Sequence, residues 1–143
     1  MTQTNTRPGP LRQLMVIIYD VLLLASALLL AAVIPVALNQ GEAIEPGNPF
    51  FLLYLLMVSL FFYGWFWTHG GQTLGMRAWK VYLVGQSQVQ VTWKQASIRF
   101  GVAIISWLSF GLGFIWQWLS SEKLSWHDLL SGTQLIVHKP EQK

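Results

Sequence analysis

Residues 14–34 form an apolar run of 21 residues in which Asp20 and Ser26 are the strongly polar members. At about 1.5 Å per residue, a helix of that length reaches across the ~30 Å hydrocarbon core of a bilayer. A carboxylate in a spanning helix costs roughly 2.5–3.5 kcal/mol near the centre and less towards an end. The run also holds seven Leu, three Val and three Ile, which together return about 4–8 kcal/mol. The segment therefore inserts despite its acid. That constrains the chain to a membrane fold and leaves Asp20, about 9 Å inside the nearer boundary, in need of a partner or a task.

The rest of the chain agrees with a small integral membrane protein. Its 143 residues are 53% hydrophobic and 10% charged, against about 25% charged in an average soluble domain. The apolar run is longer than the core of a cleavable signal peptide, and no small-x-small cleavage site follows Pro35, so an uncleaved first helix is expected. Three hydrophobic membrane segments are expected, at residues 11–38, 50–68 and 100–119. Pro35 should kink or close the first. Tyr63, Trp65 and Trp67 mark where the second leaves the membrane. Residues 1–10 read as a disordered tail, 11–138 as the membrane domain and 139–143 as a C-terminal tail.

Between the second and third segments, Gly70-Gly71-Gln72-Thr73-Leu74-Gly75 is loop chemistry. Two period-2 runs follow, 79–84 and 89–93, and read as a small cytoplasmic β-hairpin. A third such run at 133–138 could add a strand. Arg7 and Arg12 precede the apolar run at 14–34, whereas residues 39–49 hold Glu42 and Glu45 but no Lys or Arg. Arg77, Lys80, Lys94 and Arg99 lie between the second and third segments. By the positive-inside rule the N-terminus and the hairpin are cytoplasmic. A plain third crossing would put Lys123, Lys139 and Lys143 outside. A broken or re-entrant segment, turning at Gly111-Leu112-Gly113, would keep them inside. Both forms stay open.

Arg12 and Asp20 lie about 80° apart around a helix and about 12 Å apart along it, so they cannot pair within one straight helix. Arg12 can snorkel to head groups as a topology anchor. Asp20 must look elsewhere: to an ion or proton path, or to a structural tie with Arg77, Arg99 or a backbone group. In Trp126-His127-Asp128 and Ser131-Gly132-Thr133, Asp128 and Ser131 can cap a turn and Gly132 can supply positive φ. His127, Asp128 and His69 lack a metal-ligand spacing, and no metal or cofactor is expected. Without cysteine there is neither disulfide nor thiolate chemistry, and no other nucleophile stands out, so an enzyme is not expected. No basic run interleaved with aromatics argues for nucleic acid. Ala27 and Ala31 make a small-xxx-small spacing, a weak sign of close helix packing.

Taken in order, Arg12, Asp20, Thr73-x-Gly75-x-Arg77, Arg99, and His127-Asp128 with Gly132-Thr133 resemble the RDD family over residues 10–138. Met76 stands where the family often has Lys. The resemblance implies a small multi-pass protein of the bacterial inner membrane, with Arg12, Asp20 and Asp128 as its charged signature. It also implies a transport-related role, with monovalent cation/proton exchange proposed for some members. Three short segments give little wall for a path, so transport requires a homo-oligomer around Asp20. The alternative is an assembly or scaffold protein in which Arg12, Asp20 and Asp128 are structural and the partners are lipid and other membrane proteins.

Overall fold

The computed structural model describes residues 6–85 and 90–137. Its elements run in the order α1 (Pro10–Leu38), α2 (Pro49–Thr68), α3 (Leu74–Ala78), β1 (Val81–Gly85), α4 (Trp93–Leu108), α5 (Leu112–Leu119), α6 (Trp126–Ser131) and β2 (Thr133–Val137). Pro10 starts α1 at a position where a missing N–H costs nothing. Pro35 falls inside α1, which closes shortly after it at Leu38. Asn48 caps α2, its side chain accepting from the N–H groups of Phe50 and Phe51. α1 has 29 residues and α2 has 20, and both are long and apolar enough to cross a membrane. Leu29, Leu30, Leu38 and Phe50 are each more than 70% exposed, an unpartnered apolar surface that lipid, not water, can cover. The two helices pack together, and the Tyr54 hydroxyl donates to the Ala31 carbonyl at 2.9 Å. Ala31 thus faces a helix of its own chain.

The third segment is broken. α4 and α5 meet at 96°, and the bend sits at two successive left-handed residues, Phe110 with φ 57° and Gly111 with φ 76°. Glycine adopts that conformation freely, whereas for phenylalanine it costs about 1–2 kcal/mol. Gly113 then lets α5 fold close. A Cβ there would collide with the side chain of Ser106 and come within 3.1 Å of the Trp126 ring. α4 also begins earlier than the apolar run, at Trp93, because Thr92 and Gln95 form a reciprocal capping box.

That cap bears on a correction. The sheet is two-stranded and antiparallel, but β1 pairs with β2 in the register Val81↔Val137 to Gly85↔Thr133, not with residues 90–93 of the expected second strand at 89–93. Gln90 to Thr92 are outside any strand and Trp93 is helical, so the expected hairpin does not form. The turn at 86–88 and Val89 lie outside the described residues, as does His138. The N-terminal segment is described from Thr6 onward. The Thr6 carbonyl accepts from Val137 N at 2.8 Å, and Arg7 donates to the carbonyl of Glu122. Residues 6–9 are therefore docked, while residues 1–5 and 139–143 lie outside the described set.

The N-terminal segment, the loop after α2 and the final strand thus converge at one end of the spans. A core of Val16, Trp67, Met76, Val81, Leu83, Val91 and Ala96 lies beneath them. The chain has no native cysteine, so the strand pairing can be tested against a clean background. Val84 and Gln134 are register partners, with Cβ atoms expected about 4.5–5.5 Å apart. Val84→Cys combined with Gln134→Cys should cross-link under mild oxidation in the membrane. Failure of that pair, with cross-linking of Val84→Cys to Val91→Cys instead, would restore the hairpin.

Candidate functional site

Asp20 is 5% exposed, and two donors at the start of α3 satisfy its carboxylate. Oδ2 accepts from Thr73 Oγ1 at 2.6 Å and Oδ1 from Gly75 N at 3.0 Å. The same Thr73 oxygen caps α3 by accepting from Met76 N at 3.2 Å. One hydroxyl therefore links α1 to the first turn of α3, and such relayed bonds strengthen one another. Gly75 is needed for closeness. A Cβ on it would lie 2.6 Å from Asp20 Oδ1 and 2.8 Å from the Val16 carbonyl. The Thr-x-Gly spacing is thus the complement of the acid on α1. Arg77, two residues on, is exposed and makes no ion pair with the described residues. Arg12 also lacks one, since the one ion pair among the described residues is Arg99–Asp128.

That pair joins α4 to α6, with both side chains 6% exposed. Arg99 Nη1 donates to Asp128 and, at 3.1 Å, to Thr133 Oγ1, while its guanidinium lies 5.4 Å from the centre of the Trp67 ring on α2. Ser131 Oγ lies 2.6 Å from Thr133 Oγ1 and donates to the His127 carbonyl. Gly132, at φ 67°, closes α6 in a left-handed cap, which turns Thr133 back towards Arg99. Burial pushes the Asp128 carboxyl up, but the Arg99 guanidinium, the neighbouring His127 and hydrogen bonding together outweigh it and hold the group below its ordinary 3.8. Burial, followed by the repulsion of Arg99, drives His127 down to about 3. Its imidazole is therefore neutral, packed 4.7 Å from the Phe114 ring with Nδ1 lacking a partner.

Both ties border one cleft of about 340 Å³, lined by Val16, Asp20, Tyr63, Arg99, Phe100 and His127 among others. Mostly apolar walls with a few convergent polar groups are what a ligand cleft requires. The structure separates what the sequence left joined. Of the alternatives for Asp20, the backbone tie is the one made, to Gly75 N with the Thr73 hydroxyl beside it, rather than a tie to Arg77 or Arg99, while Asp128 goes to Arg99 rather than to a cap. Gly132 and Thr133 hold the second tie, and Ser131 supports it. Arg12 and Arg77 belong to neither. Among the described residues no three His, Asp or Glu side chains gather to hold a metal. Sequence reasoning missed Gln117, which is 7% exposed on α5 and donates to Gln13 Oε1 at 3.0 Å. An amide inside an apolar run is the same kind of anomaly as Asp20, and could have been found that way. Trp67, read only as an interfacial ring, also stacks over Arg99.

Two helices long and apolar enough to cross a membrane, a bent third apolar segment and charged residues tied between helices are the features of an α-helical membrane protein. The model of the RDD family matches residues 7–132. The chain belongs to the RDD family, whose members are membrane proteins. No curated protein and no solved structure gives a significant match.

The second tie makes stability depend on pH with a definite sign. An unfolded chain protonates His127 near 6.5, whereas the folded one resists until about 3. Stability is therefore lost as pH falls through that window, by about 2–3 kcal/mol two units below the ordinary value. Asp128, held below 3.8, adds its own loss only as pH falls past that value. Thermal unfolding in detergent between about pH 7 and 4.5 should show the decline, and His127→Phe should flatten it. Equal slopes in the two proteins would remove His127 from the account.

Proposed function

We propose that this protein is a multi-pass assembly or scaffold protein of the bacterial inner membrane, with its N-terminus and small sheet in the cytoplasm. The observation that carries the reading is that both buried acids are committed within the chain. Asp20 binds Thr73 and Gly75, and Asp128 binds Arg99. A carboxylate that must exchange protons and cations needs open coordination, whereas a carboxylate holding two fixed donors serves as a fastener. The spans α1 and α2 anchor the chain, and the fasteners hold α3 and α6, with β1 and β2 beside them, as one layer at the membrane surface. That layer is the part available to another membrane protein or a second copy. Arg7, Arg12, Lys80, Lys94 and Lys123 favour placing it in the cytoplasm. Strand pairing of β2 with β1 favours a re-entrant α4–α5, which enters and returns on the same side.

One observation favours a second reading, that of transport. Asp20, Tyr63, Arg99 and His127 all border the cleft between the helices. A proton and a monovalent cation would then exchange at Asp20, within a homo-oligomer that completes the wall.

Reconstituted vesicles separate the two. Under the scaffold reading, the wild-type protein gives no proton movement above empty vesicles when a Na⁺ or K⁺ gradient is imposed. Asp20→Asn then lowers the amount of folded protein recovered from membranes. Cation-driven proton flux in the wild type, abolished by Asp20→Asn in protein that remains inserted, would establish transport instead.

A further inference from the structure

A second hollow, of about 430 Å³, opens where the N-terminus of α1 meets the chain after α5. Its walls include Arg7, Gln13, Trp118, Lys123, Asp128 and Leu135. Asp128 is already neutralised by Arg99, which leaves two cations in the hollow and no free acid on its walls. Arg7 is held in place because its guanidinium donates to the carbonyl of Glu122, and its remaining N–H groups are left for another acceptor. Among the described residues Lys123 has no ion-pair partner, their single ion pair lying elsewhere. α1 opens onto the same hollow with no capping side chain and no acid in its first turn, so its free N–H groups add to the positive potential. Gln13 and Leu135 also line the apolar cleft described above. A basic hollow and an apolar cleft therefore share two walls. The exposed ring of Trp118 stands at the edge of the hollow, and such rings settle at head-group depth.

We propose that this hollow is a binding site for the phosphate head group of an anionic phospholipid, whose acyl chain lies along the adjoining apolar cleft. Two cations at a helix start suit a phosphate. Basic hollows between membrane helices recognise anionic head groups in this manner. A zwitterionic lipid brings a choline that the same two cations repel. Free inorganic phosphate shares the head-group chemistry but gains nothing from the apolar cleft, which distinguishes the two sources.

The test is native mass spectrometry of the full-length protein in neutral detergent, titrated with phosphatidylglycerol, phosphatidylcholine or inorganic phosphate. Phosphatidylglycerol should be retained in preference to phosphatidylcholine, and millimolar phosphate should not displace it. Arg7→Gln and Lys123→Gln should each weaken retention about fivefold, and together about 30-fold. Lys94→Gln, an exposed cation on α4 outside the hollow, should leave retention unchanged. The singly substituted proteins keep the comparison available if the double one does not fold. Equal retention of the two lipids, displacement by inorganic phosphate, or an equal loss in Lys94→Gln would each overturn the proposal.

Discussion

A carboxylate removed from water must find donors, and this fold is arranged around that requirement at Asp20. The backbone of the apolar stretch that carries it offers no donor, because every N–H in the middle of a helix is already used, and the Ser26 hydroxyl donates to the Leu22 carbonyl instead. Thr73 Oγ1 and Gly75 N meet the need from the start of α3. Meeting it draws the loop after α2 against α1, 53 and 55 residues away in the chain. Once α3 is held there, β1 must begin beside it, and β1 is the edge that receives β2. Leaving either partner unsatisfied costs about 1–3 kcal/mol, and more where no water can step in.

The second tie repeats the logic with a formal ion pair. Arg99 on α4 would be a lone buried cation without Asp128, Thr133 and the face of Trp67. A buried pair of this kind adds little net stability, but removing one partner is costly. Its value is therefore in specificity. It selects the arrangement in which α6 lies against the first turns of α4, which the chain can reach only if α5 turns back. The left-handed pair Phe110 and Gly111 makes that turn, and the bare surface of Gly113 lets it close. The 96° elbow and the pairing of β1 with β2 are two results of one constraint.

What could be read from the chain alone follows the range of the physics involved. Spans are legible because insertion sums over about 20 residues, and Asp20 was legible as a violation of that sum. The partner of Asp20 was not, since nothing local distinguishes Thr73 and Gly75 from Arg77 or Arg99 as donors. Only the resemblance to the RDD family brought those positions together. Residues 89–93 misled because a five-residue alternation does not identify a strand by itself, while the Thr92 and Gln95 capping box was a stronger local signal for a helix start. The strand at 133–137 was foreseen, yet its partner depended on the chain's return through α5. Gln117 was passed over although it breaks an apolar run as plainly as Asp20 does.

The central claim is that Asp20 acts as a fastener between α1 and α3, and a double-mutant cycle measures this directly. Asp20→Asn, Thr73→Val and the combination would be compared by unfolding in one detergent. The account predicts a coupling energy of about 1–3 kcal/mol, because the second substitution has little left to break. Additive effects, with no coupling between the two positions, would contradict it.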